Sequence, residues 1–222
     1  MIPVVAIVGK SQSGKTTVIE KLIPEFKRRG YRVAAVKHAH AGVEMDIPGK
    51  DTWRFTQAGS DVAGIVSSSK ITIFKNTTVE PDIHEIIRAL GNDYDIVLVE
   101  GFKKNKIPKI EVHRSELGEG LACSDSELSA VITDVELRTR LPQFNVQDIE
   151  QIADFIQREI MNKANPDITI FADGRQVLMK PFVKEIIAKA ILAMLGTLKN
   201  IGKMKSVNIL IRNVEGKSFE EL

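Results

Sequence analysis

Gly9-Lys10-Ser11-Gln12-Ser13-Gly14-Lys15-Thr16 constrains this chain more than any other stretch. It follows the apolar run Ile2 to Val8 and opens a helical pattern from Thr17. That is G-x-x-x-x-G-K-[ST] in the strand–loop–helix context that gives the motif its meaning. The residue types follow from anion chemistry. Gly9 and Gly14 permit backbone conformations and close approaches that a Cβ would forbid. Successive amides from Gly9 through Gln12, Ser13 and Gly14 can then line one concavity at a helix N-terminus, where the dipole favours negative charge. Lys15 is placed to bridge outer phosphates, and the Thr16 hydroxyl to ligate Mg²⁺. A chance match in a chain of ordinary glycine content is on the order of one in a hundred. The stretch implies a nucleoside triphosphate site.

The rest of the chain is long enough to house such a site. Its 222 residues suit one α/β domain and a smaller unit. A formal charge of +2 argues against a dedicated nucleic-acid binder. One cysteine, Cys123, excludes an internal disulfide and fits a reducing, cytoplasmic setting. The N-terminal apolar run lacks a basic leader and reads as a strand, and no run approaches a membrane span.

Taken in order, Val4 to Val8 is a β-branched run suited to a strand covered on both faces. The following helix offers Val18, Ile19, Leu22, Ile23 and Phe26 on one face. Basic residues and Gly30 close it, and Pro24 is expected to remove a hydrogen bond and kink it. Further strands are expected at Arg32–Lys37, Val62–Val66, Ile71–Phe74, Asp95–Glu100, Lys109–Val112 and Ala130–Thr133. Helices are expected at Asp51–Ala58, Pro81–Leu90 (proline in its first turn) and Asp148–Met161. The fold class is α/β: a P-loop NTPase-type, mainly parallel sheet flanked by helices over residues 1–164. A small C-terminal α+β module occupies residues 165–222.

Several side chains are candidates for chemistry. Glu100 ends an apolar strand where phosphate-loop proteins place the second magnesium contact, which with Lys15 makes the catalytic pair. Asp46 is a second carboxylate, on a polar glycine-bearing loop able to reach the γ-phosphate, with a merely solvated Asp the alternative. Lys37 and His38 face phosphate or a second anionic ligand, whereas His38 with His40 is weak evidence for a metal site. Asp134 ends a strand where related folds place the acid that reads guanine, although the usual Asn-Lys-x-Asp is missing. His84 reads as surface and Cys123 as structural or idle.

Together, Gly9–Thr16, Lys37-His38, Asp46-x-Pro48-Gly49-Lys50-Asp51-x-x-Arg54, Ala58-Gly59, Val99-Glu100-Gly101-Phe102-Lys103 and Lys109-Ile110-Glu111-Val112-His113-Arg114 resemble the MobB family. Those proteins assist synthesis of molybdopterin guanine dinucleotide. The resemblance covers roughly residues 1 to 160. It implies a cytoplasmic, dimeric, GTP- and Mg²⁺-binding adaptor with at most slow GTPase activity. Its implied partner is the molybdopterin guanylyltransferase, with molybdopterin itself a candidate ligand. By position, the resemblance puts phosphates on Gly14, Lys15, Thr16 and Thr17, and magnesium on Glu100 and Asp46. Arg54, Lys103 and Arg114 become candidates for phosphate or pterin contact. Two alternatives stand beside it: a nickel-type metallochaperone GTPase, which would want Cys/His clusters, and an ATP-dependent small-molecule kinase or ligase.

The tail lies beyond that resemblance. Asp167–Phe171, a turn at Asp173-Gly174 and Gln176–Met179 read as a hairpin. A helix from Pro181 and a strand at Val207–Ile211 would complete a β-β-α-β module, marginal alone at this size.

Overall fold

Strand-forming and helical segments follow one another in the order β1 (Val4–Gly9), α1 (Lys15–Arg28), β2 (Val33–Lys37), α2 (Asp51–Gln57), β3 (Val62–Val66), β4 (Ile71–Lys75), α3 (Ile83–Leu90), β5 (Ile96–Glu100), β6 (Lys109–Val112), β7 (Ala130–Ile132), β8 (Gln143–Phe144) and α4 (Ile149–Ile156). The computed structural model describes residues 2–39, 46–91, 93–162, 168, 170–172, 175–199, 207 and 209. They group into two compact units, one over Ile2–Ala164 and one from Asn165 onward.

In the first unit six strands form one sheet in the order β2-β5-β1-β6-β7-β8, every neighbouring pair parallel. β1 is wholly buried, and its side chains alternate between two cores. Val5 and Ile7 meet Val18, Leu22 and Phe26 of α1 and Ile152, Phe155 and Ile156 of α4. Val4, Ala6 and Val8 share the other core with Ile83 and Ile87 of α3. Helices on both faces are what a parallel sheet of continuous apolar strands requires.

α1 ends as its sequence directs. Gly30, at φ +84°, adopts the left-handed turn. Gly30 N–H donates to Lys27 O, and Tyr31 N–H to Phe26 O, both at 3.0 Å. Pro24 does not stop the helix, which runs from Lys15 to Arg28 with Pro24 inside it and exposed. Glu25, buried on the same helix, accepts from Arg28 and Arg29, and Arg29 goes on to Asp154 of α4 at 2.7 Å.

Other boundaries moved for local reasons. α3 begins after Asp82, whose side chain accepts from Glu85 N–H at 2.8 Å, so Pro81 precedes the cap instead of lying in the first turn. α4 continues as a π-helical turn, Gln157–Met161. β8 was not expected: two residues joined to β7 are too short for a periodic signal. β3 and β4 form a separate antiparallel pair.

The second unit contains β9 (Phe171–Ala172) paired with β10 (Arg175–Gln176), and α5 (Pro181–Gly196). Pro181 starts the helix as expected. Both strands are shorter than the sequence suggested, although Val177 N–H to Ile170 O at 2.8 Å prolongs the pairing. The Asp173-Gly174 turn and, apart from residues 207 and 209, the Val207–Ile211 strand lie outside the described residues.

Candidate functional site

β1 delivers the chain to the site at its carboxyl end, where its neighbours β5 and β6 belong to opposite halves of the sheet. Such reversals of strand order are where open α/β sheets bind ligands. Gly9, at φ +144°, leaves the strand so close to β6 that a Cβ would stand 2.4 Å from Val112 O. Glycine is obligatory there. Gln12 (φ +62°) and Gly14 (φ +93°) curl the loop back into α1, and Gly14 is the N-cap. Ser13 is buried with its hydroxyl unpartnered among the described residues. Thr17 lies exposed on the first turn.

Lys15 reaches back over the loop, Nζ donating to Lys10 O at 2.6 Å. Burial holds its ammonium below the usual lysine value, Glu100 opposes that, and Lys103 and Lys37 push it further down. Three ammonium groups therefore share the field of one carboxylate. Thr16 Oγ1 donates to Glu100 Oε2 at 2.7 Å, and Lys37 Nζ lies 3.4 Å from Oε1. A hydroxyl and a carboxylate in contact beside a phosphate cradle suit Mg²⁺, a hard cation that takes oxygen ligands and keeps phosphate and water for the rest of its shell. Among the described residues no group of three or more His, Cys, Asp or Glu could hold a metal by itself.

The acid strand ends in an unusual turn. Gly101 (φ +94°) and Phe102 (φ +58°) are both left-handed. Phe102 is buried, and its ring centroid lies 4.8 Å from that of His38. A Cβ on Gly101 would stand 3.2 Å from His38 Cβ, so glycine admits the histidine. His38 Nε2 pairs with Glu80 at 2.7 Å, joining the end of β2 to the segment before α3.

Not every expected residue gathers here. Asp46 Oδ1 accepts from Ile47 N–H and Thr52 Oγ1, both at 2.9 Å, while Oδ2 is buried and unpartnered. Among the described residues no hydrogen bond or ion pair links Asp46 to Thr16 or Glu100. Arg54 is exposed on α2, 3.9 Å from Asp51. Residues 40–45, which include His40, are outside the described residues.

A second cluster lies on the β6 side. Asp134 Oδ1 accepts from Ser115 N–H at 3.0 Å, its Oδ2 from Ser115 Oγ at 3.4 Å, and Arg114 Nη1 is 3.8 Å from Oδ2. The Ser115 amide, before all else, holds the Asp134 carboxyl below its ordinary value. Lys10 Nζ, a variable position of the motif, donates to Leu117 O at 3.0 Å and Gly118 O at 3.3 Å. Buried Glu111 accepts from the amides of Ala122 and Cys123. Sequence reasoning gave Lys10 and Glu111 no role of their own. The only hint was the alternation Lys109-x-Glu111-x-His113 on a strand that should be apolar on both faces.

A family model described as MobB, molybdopterin guanine dinucleotide synthesis protein B, matches residues 4–134. The molybdopterin-guanine dinucleotide biosynthesis adapter protein of Haemophilus influenzae is 39% identical, the match covering 70% of this chain and 88% of that protein. Its Escherichia coli counterpart is 35% identical, covering 74% and 97%. A putative adapter protein of Methanocaldococcus jannaschii is 28% identical over 94% of this chain and 97% of its own length, so that match extends beyond the first unit. The crystal structure of Bacillus subtilis MobB superposes with a TM-score of 0.57 at 27% identity, covering 73% of this chain and 99% of that one.

Proposed function

The chain belongs to the MobB family, and from that premise we propose that it is an adapter of molybdopterin guanine dinucleotide biosynthesis that binds GTP with Mg²⁺ at Gly9–Thr16. The observation that carries this reading is the 2.7 Å contact between Thr16 and Glu100 beside the glycine-turned loop. Phosphate would displace Lys10 O as the acceptor for Lys15 Nζ, and Lys37 and Lys103 would add to the positive field. Thr16 and Glu100 would hold Mg²⁺, which when bound neutralises phosphate charge. Lys15 and Glu100 are the residues on which any slow hydrolysis would depend.

The adapter role supplies the partners: the guanylyltransferase of the pathway, in the cytoplasm, and molybdopterin near Lys37, His38, Arg54 and Lys103. Self-association is proposed through β3–β4. In its antiparallel register Val62, Val66, Ile71 and Ile73 project from one face, all between 47% and 73% exposed. Ala63 on the opposite face is buried. An isolated two-stranded ribbon is marginal in water, and a second copy would cover that face. We also take the units over residues 1–164 and 165–222 as functionally distinct, with the nucleotide on the first.

Calorimetric titration of the full chain tests the central reading. GTP should bind at least about tenfold more tightly than ATP, a difference of roughly 1.4 kcal/mol, and only with Mg²⁺ at full affinity. Equal affinity for ATP would favour the kinase or ligase alternative, and no triphosphate binding would end the reading.

A further inference from the structure

We propose that Arg114 is a phosphate-contacting residue of the nucleotide site, and that Asp134 and Lys10 are the residues that position it. The proposal rests on the phosphate-loop reading above and goes beyond it. β6 runs parallel to β1 with Val112 opposite Gly9, so the two residues that follow emerge at the mouth of the loop. Arg114 Nη2 stands 3.7 Å from the point a Gly14 Cβ would occupy. It is thus beside the glycine that begins α1 and precedes Lys15.

Two contacts fix it there. Asp134 takes the Ser115 amide on one oxygen and approaches the Arg114 guanidinium with the other, anchoring both the backbone after Arg114 and its charge. Lys10 fastens the next residues to the phosphate loop through the carbonyls of Leu117 and Gly118. The guanidinium itself is left with capacity. Its ion pair at 3.8 Å is long, it makes no hydrogen bond among the described residues, and its side chain is 27% exposed. A planar fork of donors set against a loop of backbone amides matches a phosphate, which it can grip with two parallel bonds. The Asp134 carboxylate, already engaged by Ser115 and Arg114, acts here through the arginine instead of through a purine base.

Titrations of the full chain with GTP, GDP, xanthosine triphosphate and guanosine separate these roles. Arg114→Ala should weaken GTP, GDP and xanthosine triphosphate alike, by about tenfold to a hundredfold, since a charged hydrogen bond is lost. Arg114→Lys, which keeps the charge and should melt with the parent protein, should recover only part of that. Asp134→Asn should weaken all three nucleotides by one common factor, and adding it to Arg114→Ala should cost little more. The proposal is overturned if Arg114→Ala binds GTP normally. It is equally overturned if Asp134→Asn shifts preference from GTP to xanthosine triphosphate, because the carboxylate would then be reading the base. Lys15→Ala is the control. Were it to bind GTP as the parent does, the phosphate-loop reading would fail and this proposal with it.

Discussion

Thr16 and Glu100 are 84 positions apart, yet the Thr16 hydroxyl donates to the Glu100 carboxylate at 2.7 Å. Strand register brings this about. β5 lies parallel to β1 with Glu100 opposite Ile7, so the acid ends its strand level with the start of the phosphate loop. The loop then carries Thr16 back over it. Lys37, opposite Glu100 on β2, completes a group in which one carboxylate faces a hydroxyl and an ammonium.

Replacing Glu100 with Gln keeps shape and hydrogen bonding but removes the charge Mg²⁺ needs. GTP affinity measured with and without Mg²⁺ should therefore differ far less in the variant, the ratio falling by about tenfold or more. An unchanged ratio would move the metal contact to Asp46, whose Oδ2 is buried without a partner.

Glu25 makes a prediction about pH. Its hydrogen bonds from Arg28 and then Arg29 hold its carboxyl below the ordinary value of 4.5. A folded pKa below the unfolded one means a contribution fully present above 4.5 and lost as pH falls through the folded value. Glu25→Gln should cost about 1–3 kcal/mol at neutral pH, because Arg29 is only 17% exposed and loses a charged partner. The difference in Tm between parent and variant should hold near neutrality and shrink below about pH 4.5. A difference that persists into acid would mean that the contacts of Glu25 matter and its charge does not.

The two sides of the site were unequally legible in the sequence. That Gly9, Lys15, Thr16 and Glu100 gather at one place could be read because motif spacing and an apolar run ending in an acid are local signals. The strands β1, β5 and β6 were equally plain, being continuous and apolar. The contacts of Lys10, Asp134 and Ser115 were not, because they are set by strand register and loop path. Lys10 meets Leu117 across 107 positions, and nothing about a lysine in the loop announces the carbonyls of Leu117 and Gly118 as its partners. Asp134 was expected to read guanine, and that expectation carried no account of the Ser115 amide and the Arg114 guanidinium that its oxygens meet. The continuity of α1 through Pro24 was legible as well, because the apolar face runs past the proline to Phe26. Local propensity gives way when a helix is held by Val18, Leu22 and Phe26 in the core.

The β3–β4 face gives a test of self-association. Ile73 is 59% exposed and stands opposite Gly64, so an aspartate there would fit the hairpin but could not be buried against another apolar surface without a large desolvation cost. Sedimentation should show the parent as a dimer and Ile73→Asp shifted to monomer, with GTP affinity unchanged. A parent protein monomeric at tens of micromolar, or a variant that still dimerises, would remove this face from consideration.

The last prediction concerns the second unit. None of the sixteen residues of α5 is buried, and Phe182, Ile186 and Met194 are each more than 60% exposed. Leu178, before the helix, is 90% exposed. A surface of this kind left in water is what soluble monomers avoid, so it should be covered by a partner, and a second subunit is the simplest. The similarity to the Methanocaldococcus jannaschii protein extends beyond the first unit, which marks the tail as a shared feature. No candidate for phosphate, magnesium or base contact lies beyond Asp134. Deleting residues 166–222 should therefore leave GTP affinity within about twofold of the parent, under 0.5 kcal/mol. The same deletion should weaken self-association, measured by sedimentation at matched concentrations. If the shortened chain stays folded but no longer binds GTP, the second unit takes part in the nucleotide site and the functional boundary at residue 164 is wrong.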